Sequence, residues 1–448
     1  MKIFLKKVRS KTLFSLLNPV KVEPLELCYL QALADNLGLE NFVIDDLFGL
    51  LEPQGITPQV IVLTGYNTAE EEMLKEAKVY KTVYPEAKVI VGGLHVELNR
   101  EVFRKHDIDF VIHSQDLTVL QNVLKFLRGD IVDLPSAGVD MRLFLEDGSD
   151  EWREGTRHGL QTHQRIRPAR GLTKLLSDRT RYLDKKNVAL VKSRIGCPYQ
   201  CDFCYCKLVN GGDHIKSDYQ ELLREVTGLR AQYYWLVDDI FLASRLEALD
   251  YLRAYEAVKP AEGEPRISLI AYLRADFIVK ERDLLSQLKE SGLDEVIVGF
   301  EATSNNELEG YHKQTNAFDY PKVIELLRDH DIDLTALFMV RPDYGLADFR
   351  KLNRFIRNNR IDIYTISILT PIKGTKSYED NRSQLVTEDP RKFDFLHLVL
   401  EPRLPRIVFY SLFYNLHLRL LKSRRIRTYF WQLFSKSAKP KQGEGYVS

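Results

Sequence analysis

The chain has 448 residues with 64 basic and 63 acidic side chains, so its net charge is +1 at pH 7. Its length predicts two or three domains, and its 44% of hydrophobic and 28% of charged residues are ordinary for a soluble globular protein. Five cysteines in so long a chain exclude a small disulfide scaffold, and the lack of any run of eighteen apolar residues argues against a membrane span.

The first residues, MKIFLKKVRSKTLF, contain no long apolar stretch followed by a small-residue cleavage site, so we expect no secretory signal. The predicted compartment is the reducing cytoplasm. Four of the five cysteines lie between Cys197 and Cys206, and only Cys28 lies elsewhere. In a reducing compartment such a local group more often binds a metal or carries out redox chemistry than forms disulfides.

Residues 1–130 alternate strand-like and helix-like segments, a pattern that predicts a doubly wound parallel sheet of the Rossmann-like class. Short β-branched segments predict the strands KIFLKKV, NFVIDDL, QVIVLTG, AKVIVGG and FVIHS. Apolar residues at helical spacing predict the helices EPLELCYLQALADNLG, NTAEEEMLKEAKVYKTVYPE and DLTVLQNVLKFLRG. Asn67 or Thr68 is the expected N-cap of the second helix.

The turn VGGLH, from Val91 to His95, follows one of these strands. Doubly wound sheets bind ligands beyond the carboxyl ends of their strands, and Gly92 and Gly93 have no side chain to block a bulky ligand. The alternative is a tight strand-to-helix turn without a ligand. His95 is a candidate metal ligand, although a single loop histidine is more often part of the polar surface.

Residues 131–186 are polar and rich in turn residues, and we predict a linker region with some ordered structure there. Arg165, Arg167 and Arg170 in this stretch fit either a groove or a solvated face. The solvated face is the simpler interpretation.

Cys197, Cys201 and Cys204 have the spacing C-x3-C-x2-C within the segment SRIGCPYQCDFCYC. Three thiolates on one loop can hold three irons of a 4Fe–4S cluster and leave the fourth iron open to a small molecule. Structural zinc is the rival metal, but it takes four ligands, commonly as two separated pairs, and the sequence has no second pair. Cys206 is an awkward fourth ligand because only one residue separates it from Cys204. Packing of the cysteines as small hydrophobic side chains is a further alternative.

From residue 187 to residue 380 the sequence repeats strand and helix about six times. The predicted strands are VALVKSRIG, YYWLVDDIF, RISLIAYLRAD, DEVIVGFEA, LTALFMV and IYTISILTP. Polar side chains cluster where the strands end, namely Asp238, Asp239, Arg274, Asp276, Glu301 and Thr370. Strand ends of this kind face the active site in parallel barrels, so the sequence predicts a functional centre there.

The cysteine spacing, with the aromatic Phe203 directly before Cys204, resembles the signature of radical S-adenosylmethionine (SAM) enzymes. The resemblance implies a partial (β/α)6 barrel, a 4Fe–4S cluster on the three cysteines, and SAM that chelates the open iron. In that family an electron from the cluster cleaves SAM to methionine and a 5′-deoxyadenosyl radical, which abstracts hydrogen from an unactivated C–H bond. An external electron donor of flavodoxin or ferredoxin type is also implied.

By the same resemblance, the segments VDDIF, LRAD, VGFEA and TPIKGT occupy the places where the family binds SAM. Arg274 is the expected partner of the SAM carboxylate, Glu301 of its ammonium or ribose, and Asp239 is a further candidate. For each acidic residue alone, a solvated cap or a buried ion pair is the alternative. Tyr205 and Cys206, beside the cluster, are the candidates for a catalytic residue.

The order of the domains and the motifs VGGLH, DFVIHSQD and TPIKGT resemble the radical SAM group that carries a cobalamin-binding domain, over roughly residues 1–400. Well-known members are hopanoid-lipid methylases and natural-product methyltransferases, in which cobalamin carries the methyl group. Gly92 and Gly93 would then lie near cobalamin. The segment RSKTLFSLLNPVKVEPLE replaces the Asp-x-His-x-x-Gly loop that often supplies a histidine to cobalt, so no histidine ligand is expected.

Residues 381–448 form a predicted basic helical extension with ten basic and no acidic residues between Arg403 and Lys441. One interpretation is a pair of helices that pack on the core and leave a solvated basic face. Another is an interfacial membrane helix, because Tyr429, Phe430 and Trp431 lie beside arginines. Nucleic-acid contact is less favoured, since nothing else in the chain resembles an RNA-binding module.

The sequence therefore predicts an α/β protein with a cobalamin-binding-type domain (1–130), a linker region (131–186), a radical SAM barrel (187–380) and a helical extension (381–448). The favoured function is methyl transfer to an unactivated carbon of a lipid-like or small natural-product substrate, in the cytoplasm and with peripheral membrane contact. One rival is a cobalamin-independent radical SAM enzyme that forms or rearranges carbon–carbon bonds. The other is a non-catalytic zinc or iron–sulfur scaffold.

Overall fold

The computed structural model describes residues 1–10, 19–145, 147–159, 166–209, 214–216, 218–260 and 265–434. Two large sheets organise this part of the chain, one of seven strands and one of six. The predicted α/β class is confirmed. Arg165 and the segment from residue 435 onward, with its three lysines, lie outside the described residues.

The N-terminal sheet has the strand order β3-β1-β4-β5-β6-β7-β8, and its first five strands are parallel. Because β1 pairs with β3 on one side and β4 on the other, the strand order reverses at β1, the position at which doubly wound sheets form their ligand crevice. Its strands are β1 (Lys2–Lys7), β3 (Glu40–Ile44), β4 (Val60–Thr64), β5 (Lys88–Gly92), β6 (Phe110–Ile112), β7 (Val139–Phe144) and β8 (Asp150–Arg153), whereas β2 (Val20–Lys21) belongs to a separate small sheet.

Helices cover both faces of this sheet, which confirms the doubly wound prediction. They are α1 (Leu25–Asn36), α2 (Glu70–Val83), α3 (Leu94–Leu98), α4 (Leu117–Arg128) and α5 (Gly171–Leu176). Apolar side chains of α1, α4 and α5 share one core, and those of α2 and α3 form another. Helix α4 begins where Asp116 accepts the Thr118 N–H at 2.9 Å and ends at the left-handed Gly129.

The structure corrects one local expectation and adds detail to another. Residues 67–69 form a 3₁₀ turn, and α2 begins at Glu70 after Ala69, with no side-chain cap. The Asn67 side chain instead donates to the Phe393 carbonyl, so this predicted N-cap was wrong. The stretch predicted as a linker region with some ordered structure contains β7 and β8, which extend the N-terminal sheet in antiparallel fashion. Buried Asp140 accepts hydrogen bonds there from Arg104 and from the Gly155 N–H.

A small three-stranded sheet lies between the two large ones. It combines β2 with β9 (Arg181–Tyr182) and β10 (Lys185–Lys186). Tyr182 packs against Trp235 of the six-stranded sheet, with ring centroids 4.8 Å apart. This sheet therefore attaches the N-terminal part of the chain to the barrel.

The six-stranded sheet has the sequential parallel order β11-β14-β15-β16-β17-β18, which confirms the partial (β/α)6 barrel. Its strands are β11 (Val188–Val191), β14 (Tyr233–Leu236), β15 (Leu269–Leu273), β16 (Leu293–Glu301), β17 (Asp333–Val340) and β18 (Ile363–Ile368), and the short β12 (Arg194–Ile195) and β13 (Ile215–Lys216) pair beside it. The helices are α6 (Tyr219–Leu229), α7 (Arg245–Val258), α8 (Ala275–Lys280), α9 (Leu285–Glu290), α10 (Asn305–Gly310), α11 (Tyr320–Asp329), α12 (Leu346–Asn358) and α13 (Lys376–Asn381).

The C-terminal extension contains α14 (Arg406–Leu418) and α15 (Arg424–Phe434). Helix α14 buries Phe409, Phe413 and Leu416 in the barrel core. In α15, Arg425 forms ion pairs with Asp184 at 2.8 Å and with buried Glu295 at 3.0 Å. The extension is thus partly structural. None of the described helices combines the length and the apolar character needed to cross a bilayer.

Candidate active site

The cysteine segment starts at the carboxyl end of the first barrel strand and is tied to the second. Asp238, two residues beyond the end of β14, accepts hydrogen bonds from the backbone N–H groups of Ser193 and Arg194 at 2.8 and 2.9 Å. The Ser193 hydroxyl also donates to this carboxylate. Burial raises the pKa of Asp238 to about 6, although these hydrogen bonds oppose the shift. Asp238 is therefore a structural anchor of the segment rather than a ligand-binding group.

The other end of the segment is held from the opposite side of the barrel. The Asp202 N–H donates to the Tyr311 carbonyl, and the Ser377 N–H donates to the Asp202 carbonyl, both at 3.1 Å. The ring of Phe203 packs edge-on against Tyr311, with centroids 5.5 Å apart. The aromatic residue of the cysteine motif thus fixes the loop onto the segment that follows α10.

The thiols of the three motif cysteines lie close enough to influence one another. Burial, helped by the neighbouring charges of Cys204, Asp239 and Cys201, raises the pKa of Cys197 to about 11. Cys197 and Cys204 are partly exposed, whereas Cys201 is buried. Three soft thiol donors on one loop, two of them open to solvent, fit the ligand set that a 4Fe–4S cluster requires.

Cys206 is buried and hydrogen-bonded to Cys204, and this bond lowers the pKa of the Cys204 thiol. The structure therefore places Cys206 behind a motif cysteine. Among the described residues, no group of three or more His, Cys, Asp or Glu side chains could hold a single metal ion. In a 4Fe–4S cluster, each thiolate binds a different iron.

Asp239 differs from its neighbour Asp238 because its side chain is exposed at the cysteine segment. Its charge acts on Cys197 and Cys204, and it forms a hydrogen bond with Cys206. Tyr205 lies in the same environment, where burial and the Asp239 charge raise the pKa of its hydroxyl. The structure thus brings together Asp239, Tyr205 and the cysteines, as the sequence predicted for this end of the barrel.

Arg274, at the end of β15, is buried and makes several contacts within the protein. Its Nε donates to Asp276 at 2.8 Å, and its Nη2 donates to the carbonyls of Lys313 and Gln314 at 2.8 and 3.1 Å. The guanidinium also lies 3.8 Å from the centre of the Tyr199 ring. Arg274 therefore links the cysteine segment to the turn at residues 311–315.

Glu301 ends β16 in a left-handed conformation with φ +62° that only a small share of non-glycine residues adopt. The pairing of β16 with β17 shifts between Gly299 and Glu301, so the bulge redirects this carboxylate. Its Oε1 accepts a 2.9 Å bond from Nζ of buried Lys313. Lys313 had no signal in the sequence, because it lies in a turn far along the chain from the cysteines.

The N-terminal sheet presents Gly92 and Gly93 at the end of β5. Gly93 has φ +114°, and a Cβ there would lie 2.7 Å from Oγ1 of Thr64. A Cβ at Gly92 would meet Ile112 at 3.5 Å, an ordinary packing distance. The strand-to-helix turn itself therefore accounts for Gly93, and a ligand near either glycine stays a prediction.

The described histidines of this part of the chain are paired with carboxylates. His95 bonds Glu70 at 2.7 Å, so it is neither a free metal ligand nor simple polar surface. His113 and His158 lie 3.3 and 3.1 Å from carboxylate oxygens of Asp140 and Asp116, and His106 lies 3.3 Å from that of Asp150. The arginines of the predicted linker are also paired, Arg167 with Glu221 and Arg170 with Glu225.

Direct contacts join the N-terminal sheet and the barrel sheet near their carboxyl edges. Glu23 accepts the Leu190 N–H at 2.8 Å, and Arg157 donates to the Leu208 carbonyl at 3.3 Å, just after the cysteines. Trp235 of the barrel packs against the core of the N-terminal sheet. The cysteine segment therefore lies next to the junction of the two sheets.

Comparisons with known proteins agree with this geometry. Residues 193–356 match the radical SAM superfamily. The chain is 24% identical over 364 residues to the hopanoid C-3 methylase of Methylococcus capsulatus, covering 79% of this chain and 67% of the methylase. It is also 24% identical over 356 residues to the anaerobic magnesium-protoporphyrin IX monomethyl ester cyclase of Cereibacter sphaeroides, covering 78% of this chain and 55% of the cyclase.

The fold is similar to that of a solved radical SAM methyltransferase, TsrM from Kitasatospora setae, which was solved with cobalamin and a [4Fe-4S] cluster bound. The TM-score is 0.66 at 14% sequence identity, and the similarity covers 93% of this chain and 90% of TsrM. The cysteine motif, the strand-end polar residues and the barrel around them thus belong to a radical SAM domain, and the chain is a radical SAM enzyme.

Proposed function

We propose that this chain is a cobalamin-dependent C-methyltransferase that acts on an unactivated carbon of a lipid-like or small natural-product substrate. The observation that carries the proposal is the junction of two carboxyl edges in one chain, where a doubly wound sheet meets the cysteine-bearing end of a radical SAM barrel. Ligands bind at such edges in both kinds of fold. A methyl carrier and a SAM-cleaving centre would then face the same substrate.

In this proposal Cys197, Cys201 and Cys204 hold three irons, and SAM occupies the barrel end that Asp239 and Glu301 border. When bound, the cluster supplies the electron that cleaves SAM. Asp239 is exposed at this end of the barrel and can bind a polar group of SAM, whereas Asp238 stays bonded to Ser193.

We propose that residues 1–130 and the two strands that follow act as the cobalamin-binding-type domain, residues 187–380 as the SAM domain, and residues 381–448 as the extension. The pairing of β7 with β6 supports assigning part of the 131–186 stretch to the first domain. The remainder of that stretch supplies β9 and β10, which attach the barrel.

Methyl transfer is tested with SAM that carries a ¹³CD₃ methyl group. Cluster- and cobalamin-loaded protein, incubated with a reductant and an extract of the producing cells, should form 5′-deoxyadenosine and a product heavier by the labelled methyl group. Protein that retains no corrin under conditions that load the cluster would overturn the cobalamin assignment. Colourless protein with one zinc would instead favour the scaffold function.

The main rival is radical chemistry without methyl transfer, and the similarity to a cyclase keeps it open. That function predicts 5′-deoxyadenosine in the absence of cobalamin and a product that carries no added methyl group. The labelled-SAM experiment separates the two functions, because only methyl transfer puts ¹³C in the product. An external flavodoxin- or ferredoxin-type protein is the proposed electron donor in both.

We further propose that the extension rests on an anionic membrane. The outward side of α14 presents Ile407, Tyr414 and Leu418, and that of α15 presents Trp431 and Phe434, which are 70% and 74% exposed. Arg424, Arg427, Thr428 and Trp431 line a groove of about 300 Å³. No acidic residue occurs between Pro402 and Phe434. Such a surface suits interfacial binding, and a membrane-bound enzyme could take a lipid substrate directly.

Not every aromatic residue of the extension serves this surface. Tyr429 is only 2% exposed and belongs to the interior, contrary to its expected place at the interface. The matched experiment therefore compares Trp431→Ala plus Phe434→Ala with Tyr429→Phe. The first should weaken co-sedimentation with anionic vesicles about 10-fold or more, since each large apolar group contributes about 1.5–3 kcal/mol on burial. Intact protein that ignores anionic vesicles at low salt would remove the membrane proposal.

A further inference from the structure

The turn at residues 311–315 connects three parts of the SAM end of the barrel. It follows α10 and is bent by the left-handed residues His312 and Gln314, with φ +49° and +57°. The N–H of Lys313, between them, donates to the Leu308 carbonyl at 3.0 Å. The backbone of the turn is thereby fixed, and the Lys313 side chain is directed into the barrel end rather than to solvent, where lysines normally lie.

The ammonium of Lys313 lies beside the cysteine segment. Its Nζ is 5.9 Å from the centre of the ring of Phe203, a residue that lies between Cys201 and Cys204 in the sequence. The Lys313 ammonium therefore lies against the segment whose three cysteines would hold the cluster.

The guanidinium of Arg274 binds the turn at residues 311–315 and does not point into the space where SAM would bind. Its Nη2 is occupied by the carbonyls of Lys313 and Gln314, its Nε by Asp276, and its face by the Tyr199 ring. A bidentate grip on a carboxylate needs two guanidinium nitrogens on one edge, and these contacts occupy two of the three nitrogens. The contacts of Arg274 are those of a residue that holds its neighbours in place.

We propose that Lys313 is the cation that binds the carboxylate of SAM, and that Arg274 is a positioning residue that holds Lys313 in place. The proposal rests on the radical SAM function described above. It moves the carboxylate partner from the arginine that the sequence favoured to a lysine that the sequence did not mark. Of the two groups that the sequence offered for Glu301, the ammonium and the ribose of SAM, the proposal takes the ammonium.

The pair of Glu301 and Lys313 is complementary to the amino-acid end of SAM. That end carries an ammonium and a carboxylate on one carbon, and the protein presents a carboxylate and an ammonium 2.9 Å apart. The bond between Glu301 and Lys313 keeps both charges compensated before SAM binds, since an unpaired buried charge is costly. When SAM binds, Lys313 pairs with the SAM carboxylate and Glu301 pairs with the SAM ammonium in place of their bond to each other.

Gly299 provides the room for this pair. A Cβ at that position would lie 2.4 Å from Oε1 of Glu301 and 2.9 Å from Nζ of Lys313. Its φ is not in the left-handed region, so backbone conformation does not explain the glycine. The absence of a side chain there is explained by the two charged groups that fill the space.

The test is a cycle that removes the lysine charge and the SAM carboxylate in turn. Binding of SAM and of decarboxylated SAM, in which hydrogen replaces the carboxylate, is measured by calorimetry on cluster-loaded protein with the cluster oxidised, so that no cleavage occurs. Lys313→Met should weaken SAM binding about 10- to 100-fold, the usual range for a charge-assisted contact. The same variant should change binding of decarboxylated SAM less than about 3-fold, because this ligand has no carboxylate for Lys313 to bind. The loss of iron chelation by the carboxylate affects the unchanged protein and the variant equally, so it cancels in the comparison.

Arg274→Met distinguishes a positioning residue from a ligand. If Arg274 acts through Lys313, the double variant with Lys313→Met should bind SAM no more weakly than Lys313→Met alone. Lys322→Met, which removes an exposed lysine paired with Glu325, is the matched control and should bind SAM as the unchanged protein does. If Lys313→Met instead weakens both ligands equally, or if Arg274→Met shows the dependence on the carboxylate while Lys313→Met does not, the proposal is wrong.

Two further variants cover a failure of Lys313→Met to fold. Lys313→Arg keeps the charge and should retain most of the affinity, and Lys313→Met with Glu301→Gln removes the charge that would be left unpaired. The absorbance of the cluster near 400 nm reports whether each variant is loaded. Unchanged protein that loads no cluster, or binds no SAM, contradicts the proposed function itself, and that outcome is distinct from failure of the Lys313 assignment.

Discussion

At the carboxyl edge of the barrel, charged side chains are buried against one another, and a non-glycine residue is held in a left-handed conformation. At the carboxyl edge of the N-terminal sheet, the described histidines are bound to carboxylates, and the unusual backbone is that of a glycine. The left-handed Glu301 lies at the bulge of β16, which brings its carboxylate to Lys313. The side chains of the barrel edge therefore support SAM binding directly, whereas the proposal that cobalamin binds rests on the fold and on the similar proteins.

The largest expected effect divides the cysteines within the barrel edge. Single changes of Cys197, Cys201 or Cys204 to alanine should abolish the absorbance near 400 nm or the SAM cleavage that depends on it, because each thiolate holds one iron. Cys206→Ala should retain both, since Cys206 lies behind Cys204 and donates only a hydrogen bond.

Cys28→Ala is the control for general loss of a buried thiol, because Cys28 lies in α1 and is also fully buried. Iron and sulfide analysis of all five variants measures the outcome. Equal damage from Cys206→Ala and from the three motif changes would show that the open-iron assignment is mistaken.

This contrast also explains what the sequence could predict. The cysteine spacing and the apolar strands are local patterns, so the cluster segment, the barrel and the doubly wound sheet were predictable. The antiparallel strands β7 and β8 were not predictable from the sequence. Charged residues such as Arg142 in β7 and Asp150 in β8, which pair with each other, obscure the alternation of apolar and polar residues that indicates a strand. Lys313 was missed because only folding brings it to Glu301 and the cysteines.

A second comparison concerns one buried carboxyl in each part of the chain. Glu23, beside the N-terminal sheet, has its pKa raised by burial to about 6, and so does Asp238 in the barrel. The folded protein therefore keeps protons that the unfolded chain loses above pH 4 to 4.5. The contribution of these two carboxyls to stability should fall as the pH rises from about 4 to about 6 and then level off.

The size of the fall differs between the two groups. At 1.36 kcal/mol per pKa unit, Asp238 contributes roughly 3 kcal/mol and Glu23 roughly 2 kcal/mol. Asp238→Asn and Glu23→Gln should each flatten the dependence of the unfolding free energy on pH by about that amount. Denaturant unfolding at pH 4, 5, 6 and 7 measures it. An unaltered slope in Asp238→Asn would mean that this carboxyl titrates normally in the folded protein.

The smallest effects come from adding one methyl group at a glycine of each edge. Gly93→Ala should lower the unfolding free energy by about 1–3 kcal/mol, because φ +114° disfavours alanine and the new Cβ meets Thr64. Gly299→Ala should change stability by less than about 1 kcal/mol, since its Cβ meets only the ends of two side chains. It should nevertheless weaken SAM binding several-fold by displacing Glu301 and Lys313.

Gly92→Ala separates fold from ligand at the N-terminal edge. Its Cβ makes only an ordinary contact with Ile112, so stability should stay within about 0.5 kcal/mol of that of the unchanged protein. Any loss of cobalamin retention in this variant then reports the ligand directly, whereas a loss in Gly93→Ala also contains the damaged turn. If Gly92→Ala retains cobalamin fully while Gly93→Ala loses it in proportion to stability, neither glycine contacts the corrin. The turn then serves the sheet alone, and the cobalamin-binding surface must lie elsewhere along the edge, for example at the residues that follow β4.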